Sequence, residues 1–157
     1  TEVFADFEMR KQKYKLLLGG QLVHYNQAIY ENEPGRPMVE AITPFAEFTY
    51  KFSKKKSMRL ELQYQHCEQD FGSWVYGLVE YNIAPKWSFA VSDMWNYDPL
   101  KTDDALHYYS VFAGYTQKST RFTLNYVKQI AGIVCTGGVC RYEPAFSGLK
   151  AGITTTF

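Results

Sequence analysis

The stretch Phe146-Ser-Gly-Leu-Lys-Ala-Gly-Ile-Thr-Thr-Thr-Phe157 decides the fold. In an extended strand, one face would carry Leu149, Ala151, Ile153, Thr155 and Phe157, and the other Gly148, Lys150, Gly152, Thr154 and Thr156. A period of two is the way in which a strand separates an apolar environment from a polar one. The pattern therefore predicts a β-strand with one apolar face.

The same alternation recurs upstream and marks nine extended segments. They are residues 3–10, 15–30, 40–52, 58–65, 74–83, 87–97 and 107–116, a segment that opens at Arg121, and the terminal strand. The fourth segment is the clearest, because Met58, Leu60, Leu62 and Tyr64 alternate there with Arg59, Glu61, Gln63 and Gln65. Helical periodicity is absent, and Tyr, Phe, Val and Thr dominate, as they do in strands. We expect an all-β, antiparallel, up-and-down fold.

Composition favours a membrane barrel and excludes some other classes. A chain of 157 residues is ordinarily one domain, here residues 1–157. The 17 basic and 16 acidic residues nearly balance, which gives no basic surface for nucleic acid. Aromatic residues make up 17% of the chain while its mean hydropathy is negative, at -0.33. Alternating strands with aromatic girdles produce that combination, and a tyrosine-rich soluble β-sandwich is the alternative.

The connections between the segments predict two different edges of the sheet. Residues 11–14, 53–57, 84–86 and 117–120 form short turns, whereas residues 31–37, 68–72, 98–104 and the Cys135–Cys140 hairpin are longer or richer in loop residues. Outer-membrane barrels have short periplasmic turns and longer extracellular loops. This order favours a transmembrane β-barrel over a soluble sandwich.

Alternation alone does not decide which solvent touches the apolar row. In a lipocalin-like barrel that row faces inward, whereas in a membrane barrel it faces lipid. The opposite face carries charges of both signs, as a watery lumen would, and the predicted lumen-lining residues are Arg59, Glu61, Glu80, Arg121 and Lys150. We therefore expect an integral protein of the cell outer membrane. The alternative is a soluble secreted or periplasmic β-barrel that binds an apolar small molecule.

Nine strands is an awkward number for a closed barrel. Single-chain bacterial barrels normally have an even count, which places both termini on the periplasmic side. Residues 1–8 already have the strand pattern, no signal peptide opens the chain, and no apolar run reaches the ~18 residues of a spanning helix. We expect the C-terminal part of a larger barrel, or else a miscounted barrel of eight or ten strands.

Two cysteines flank a turn near the end of the chain. Cys135 and Cys140 enclose Thr-Gly-Gly-Val, and a tight Gly-Gly turn would bring the two thiols close together. We expect a disulfide between them, which implies an oxidising compartment, with two free thiols as the alternative. Cys67 has no evident partner in the sequence.

The segment Gly138-Val-Cys-Arg-Tyr-Glu-Pro-Ala-Phe-Ser-Gly-Leu-Lys-Ala-Gly-Ile-Thr-Thr-Thr-Phe157 resembles the end of a known family. The family consists of outer-membrane barrel proteins of Bacteroidota, in which a Cys-Arg-Tyr-x-Pro hairpin leads into a last strand ending in Phe. Its most specific elements here are Cys135, Cys140, Arg141, Tyr142, Pro144 and Phe157. The resemblance implies outer-membrane location and recognition by the barrel-assembly machinery, with Phe157 as the assembly signal.

Motifs for chemistry are missing from the sequence. No nucleophile, metalloprotease, P-loop or dinucleotide motif is present, so we expect neither enzymatic activity, cofactor nor metal. The mixed charges would line a channel and set weak ion selectivity in a wide barrel, but would pair and plug a narrow one. We expect a passive pore or a structural component of a larger outer-membrane complex, in contact with lipid, lipopolysaccharide and other outer-membrane proteins.

Overall fold

A computed structural model describes residues 1–30, 34–100, 106–136 and 139–156, with only the backbone described for 27, 30, 132–136 and 139–143. The described elements are eleven strands and one short helix. In chain order they are β1 (Glu2–Arg10), β2 (Tyr14–Asn26), α1 (Gln27–Tyr30), β3 (Met38–Lys51), β4 (Lys56–Cys67), β5 (Gly72–Ile83), β6 (Trp87–Pro99), β7 (Leu106–Gln117), β8 (Thr120–Gln129), β9 (Gly132–Thr136), β10 (Val139–Glu143) and β11 (Phe146–Thr155). In this part of the chain, no helix is long and apolar enough to cross a membrane.

Nine strands form one antiparallel sheet in the order β1-β2-β3-β4-β5-β6-β7-β8-β11. The predicted number of strands and their up-and-down order are confirmed. The expected closure into a barrel is not found, because β1 and β11 each pair on one side only within the described chain. Closure requires the first and last strands to meet in register, and these two strands are the open edges of the sheet.

Two local features differ from the sequence prediction. The second segment was expected to continue to Tyr30, but β2 ends at Asn26 and a single helical turn follows. The Asn26 Oδ1 accepts a hydrogen bond from the Ile29 backbone N–H at 3.3 Å, as an N-capping side chain does. The Cys135–Cys140 hairpin forms its own two-stranded sheet, β9-β10, so the chain leaves the main sheet between β8 and β11.

The turns at one edge are short, as expected. They occupy residues 11–13, 52–55, 84–86 and 118–119, and we call this the short-turn edge. At the opposite edge, the loop edge, β2 is joined to β3, β4 to β5, β6 to β7 and β8 to β11, and the β4–β5 connection is residues 68–71. The connection 68–71 is as short as the turns, which is tighter than its composition suggested. Gly35 and Gly72 have positive φ angles, of 88 and 85 degrees. Each glycine lets the chain bend there in a conformation that would strain an L side chain.

Register and alternation give the sheet an apolar face and a polar face. On β4 the apolar face carries Met58, Leu60, Leu62 and Tyr64, and the polar face carries Arg59, Glu61, Gln63 and Gln65; the paired residues of the other strands continue each face. Leu62 is 57% exposed and Val79 is 50% exposed on the apolar face. The side chains of Glu61 and Glu47, on the polar face, are only 18% and 20% exposed. A flat sheet would expose both faces alike, so the difference indicates a curved sheet with its polar face concave.

The buried core is small. Val39, Ala41 and Cys67 pack together at the loop edge of the polar face, against Val23 and Tyr25. The total accessible surface is 11086 Å², whereas a compact globular protein of 18.2 kDa exposes about 8,100 Å². Backbone ladders and contacts between adjacent strands therefore hold this sheet together, rather than a central apolar core.

Candidate functional site

The polar face is organised around one arginine. Arg59 lies on β4, and its guanidinium donates hydrogen bonds to Glu47 at 3.1 Å, to Glu61 at 3.2 Å and to Glu80 at 3.3 Å. Register explains the cluster, because Glu80 of β5 pairs directly with Arg59 and Glu47 of β3 pairs with Glu61. Three carboxylates thus share one guanidinium and leave a local excess of negative charge.

The ion network continues toward the β1 edge. Lys15 Nζ lies 3.1 Å from Glu8 and 3.8 Å from Glu47, and Arg10 donates to Glu8 at 3.0 Å. Exposed ion pairs of this kind stabilise a fold by only about 0–1 kcal/mol each. Because the network crosses five strands, its main effect is to hold long side chains in fixed positions on the polar face.

Neutral amides complete the network. Gln63 Nε2 donates to Glu61 at 2.6 Å, and Asn82 Nδ2 donates to Glu80 at 2.6 Å. The Glu61 carboxylate therefore accepts from both Arg59 and Gln63, which uses one of its oxygens on each partner. Both oxygens of Glu61 thus have hydrogen-bond partners within the described part of the polar face.

The sequence prediction grouped five charged residues, and the structure brings together three of them. Arg59, Glu61 and Glu80 form one cluster. Arg121, on β8, instead donates to the Ser88 hydroxyl at 3.3 Å. Lys150, on β11, donates to Gln129 Oε1 at 2.7 Å. All five share the polar face, and β6 and β7 lie between Arg121 and the cluster, so the lumen-lining role of the five stays a prediction.

A cavity of about 430 Å³ opens on the polar face beside the ion network. Its lining comes from four adjacent strands: Thr43, Glu61, Gln63, Gln65, Trp74, Tyr76 and Met94. Two pairs in direct register, Gln65 with Trp74 and Gln63 with Tyr76, form its centre. The sequence pattern alone did not point to this site. The period of two contained the signal, because it places Trp74 on the same face as Tyr76.

The apolar face has an aromatic belt along the short-turn edge. Its members are Tyr14, Phe48, Tyr50, Phe52, Tyr81, Trp87, Phe89, Tyr115 and Phe122, and their contacting rings have centroid distances between 4.5 Å and 6.5 Å. A second, smaller group lies nearer the loop edge, where the Tyr97 hydroxyl donates to the Tyr64 hydroxyl at 2.6 Å. Aromatic side chains thus border the apolar face on two sides.

One ionisable pair interrupts the apolar face. Asp93 occupies the middle position of β6 and pairs with Gly77 of β5. Its Oδ2 lies 2.6 Å from Nδ1 of His107, whose ring stacks on Trp95 with centroids 5.5 Å apart. The other carboxylate oxygen, Oδ1, is buried and has no hydrogen-bond partner among the described residues. This pair stands out because its neighbours on the same face are apolar or aromatic.

The backbone of the terminal hairpin matches the predicted disulfide. Cys135 and Cys140 are directly opposite each other in the β9-β10 ladder. Residues opposite each other in antiparallel strands have Cα atoms about 4.5–5.5 Å apart, within the range that a disulfide spans. The side chains of both cysteines and all of Phe157 lie outside the described residues, so the disulfide and the assembly signal stay predictions. Cys67 is buried and its thiol is free.

The described residues include no group of three or more histidine, cysteine and acidic side chains placed to hold a metal ion. No curated protein and no solved structure matches the chain. The model of a family of unknown function, DUF6029, matches residues 3–157. The match does not test the expected bacterial group, the outer-membrane location or the Cys-Arg-Tyr-x-Pro hairpin as a family motif, and these stay predictions. Because the match covers nearly the whole sequence, the chain belongs to the family of unknown function DUF6029.

Proposed function

We propose that this sheet is the wall of an outer-membrane β-barrel and that the barrel acts as a passive pore. The observation that carries the proposal is the inverted exposure of the two faces. Leucine and valine side chains on the apolar face are about half exposed, whereas the carboxylates and the guanidinium of the ion network lie on the more sheltered face. Lipid around the apolar face and water along the polar face would satisfy both.

The dimensions of the strands fit a bilayer. The nine strands of the main sheet run from 9 to 14 residues. A strand of about 12 residues is about 40 Å long, and at a tilt of about 40–45° it spans about 28–30 Å, close to the hydrocarbon thickness. The aromatic belt and the Tyr64–Tyr97 group would then lie at the two interfaces, where amphipathic rings are favoured.

The proposal requires a closed barrel. The backbone groups on the outer sides of β1 and β11 are unpaired by the described strands, and hydrocarbon does not satisfy such groups. Further strands must therefore pair with both edges. The polar face then becomes the lumen, with Arg59, Glu61, Glu80, Arg121 and Lys150 along its wall.

The distribution of side-chain size favours a water-filled lumen over a plugged one. Many residues on the polar face of β6 and β7 are small, among them Ser88, Ala90, Ser92, Ser110 and Gly114, and the larger Met94, Tyr108 and Phe112 lie between them. The ion network is satisfied by neighbours within β1 to β5, so it needs no partner from across the lumen. A wall with many small side chains, whose charged groups pair within the wall, leaves room for solutes.

The Asp93–His107 pair favours a second candidate function, a structural component of a larger outer-membrane complex. Ionisable groups that face lipid near the bilayer centre are costly, and they mark functional contacts more often than ordinary wall positions. The Asp93 side chain as a whole is 44% exposed, so a donor from a neighbouring membrane protein can approach this pair from outside the sheet. Lipid, lipopolysaccharide and the barrel-assembly machinery are the remaining proposed partners.

Selective labelling tests the orientation of the sheet. A single cysteine at Leu62 or at Gln63 of the full-length protein, carrying a fluorescent probe, would be reconstituted into vesicles that contain brominated lipid. We expect strong quenching at position 62 and weak quenching at position 63, because successive side chains point to opposite faces. Equal quenching at both positions, or purification of the protein without detergent as the soluble alternative requires, would contradict the proposal.

A further inference from the structure

We propose that the polar-face cavity binds a linear, neutral oligosaccharide. This deepens the pore proposal, on which its role as a solute site rests, by naming the class of solute. The cavity, of about 430 Å³, has a size usual for small-molecule sites, and four adjacent strands of the sheet build it. The argument depends on its hydrogen-bonding groups, its charge and its aromatic rings.

Three hydrogen-bonding side chains in the lining have no partner in the described structure. The Thr43 hydroxyl, the Gln65 amide and the Trp74 indole N–H all line the cavity. None of them has a hydrogen bond to another described residue. Together they offer donors and acceptors without a net charge. Such a set matches hydroxyl groups, which both donate and accept.

The one charged side chain of the lining already has a hydrogen-bond partner on each carboxylate oxygen. This residue, Glu61, accepts hydrogen bonds from Arg59 at 3.2 Å and from Gln63 at 2.6 Å. A cationic ligand would have to compete with that guanidinium, and an anionic ligand would face the surplus carboxylates of the ion network. The surplus carboxylates therefore disfavour an anionic ligand, and the neutral hydrogen-bonding groups of the lining favour an uncharged one.

The aromatic rings supply apolar stacking surfaces. Trp74 and Tyr76 lie two residues apart on the same face of β5, so their side chains are about 7 Å apart along the strand. Tyr108 lies beside this surface, with its ring centroid 6.0 Å from that of Trp74 and with Lys128 Nζ over its own ring at 5.5 Å. The electron-rich faces of such rings attract the C–H groups on the flat side of a sugar ring. A linear sugar chain offers flat apolar sides together with rims of hydroxyl groups, which is the combination that this lining matches.

Binding to the full-length protein in detergent tests this inference. The probes are maltohexaose and cellohexaose, with hexagalacturonate as a charged comparison, measured by isothermal titration calorimetry. We expect at least one neutral hexamer to bind saturably and the charged hexamer to bind more weakly. Trp74→Ala should weaken the binding about tenfold, since one stacking partner is lost. The matched control is Trp95→Ala, on the apolar face, which should leave the binding unchanged.

Gln65→Leu provides a second variant that leaves the aromatic rings in place, and it decides the question if Trp74→Ala fails to fold. We expect weaker binding, because leucine is similar in size to glutamine but has no amide group to bind the hydroxyl groups of the ligand. Three results would overturn the inference: no binding of either neutral hexamer at about 10 mM, binding that the cavity variants leave unchanged, or equal binding of the charged hexamer. This assay uses detergent in place of the bilayer. A lack of sugar binding would therefore not contradict the proposed membrane orientation, which the quenching experiment measures separately.

Discussion

Leu62 is the position where the choice between lipid and water has the largest consequence. It is the seventh of the twelve residues of β4, and it is 57% exposed. Its cross-strand neighbours on the apolar face are Ala46 and Gly77, which have almost no side chain to cover it. A long cation at this position would meet the surrounding medium directly.

The expected magnitude depends on that medium. Arginine on the lipid face of a barrel near the bilayer midplane costs about 2–4 kcal/mol, whereas an ordinary surface substitution in water changes stability by about 0.5 kcal/mol or less. Leu62→Arg should therefore lower the free energy of unfolding by about 2–4 kcal/mol. Gln63→Arg, one residue further on the polar face, should change it by about 0.5 kcal/mol or less, because Glu61 is within reach of the new cation.

Urea unfolding of the full-length protein in lipid vesicles measures both variants. The free energies of unfolding would be compared with the wild-type value under identical lipid and salt conditions. Equal effects at the two positions would refute the assignment of the faces. A larger effect at Gln63 than at Leu62 would reverse the assignment of the two faces.

Three further predictions follow from local geometry. Gly72→Ala should destabilise the 68–71 connection by more than about 1 kcal/mol in urea unfolding, because Gly72 has a φ of 85 degrees and an added Cβ would collide with the carbonyl oxygen of Asp98; an unchanged midpoint would contradict this. Arg59→Met should cost about 1–2 kcal/mol in the same assay, since Glu61 and Glu80 would lose their cation and Glu47 would keep only Lys15, 3.8 Å away; stability equal to that of wild type would count against the network. Intact-mass measurement without reductant should find the Cys135–Cys140 protein two hydrogens lighter than the reduced form, and equal masses would exclude the disulfide.

The strands were predictable from the sequence because their signal is local. Alternation along β4 and β11 is set by the environment on each side of one strand, so each strand and its two faces could be assigned without knowing its neighbours. The end of β2 was not predictable in the same way. The Asn26 cap stops a strand whose apolar pattern continues into Tyr30, and a side chain bonding to a nearby backbone N–H overrides that pattern.

The site was less predictable because it depends on register. Alternation places Arg59 and Arg121 on the same face, but it does not tell which carboxylates either of them meets. The β4-β5 register places Glu80 opposite Arg59, whereas two intervening strands keep Arg121 away from it. The cavity around Trp74 also requires four strands in register. Whether the sheet closes depends on the sum of small twists over many strands, which no local pattern encodes.

The backbone of every described strand of the main sheet pairs only with the strands beside it, and the β9-β10 hairpin pairs with no strand of that sheet. The sheet is thus modular, and the backbone pairing of each strand depends on its immediate neighbours, as it does for the units of a repeat protein. The gain or loss of one hairpin would change the strand pairing at one place in the sheet and leave every other pairing as it is. In the proposed barrel, a change of bore diameter by whole hairpins would therefore leave the cluster around Arg59 in the same surroundings.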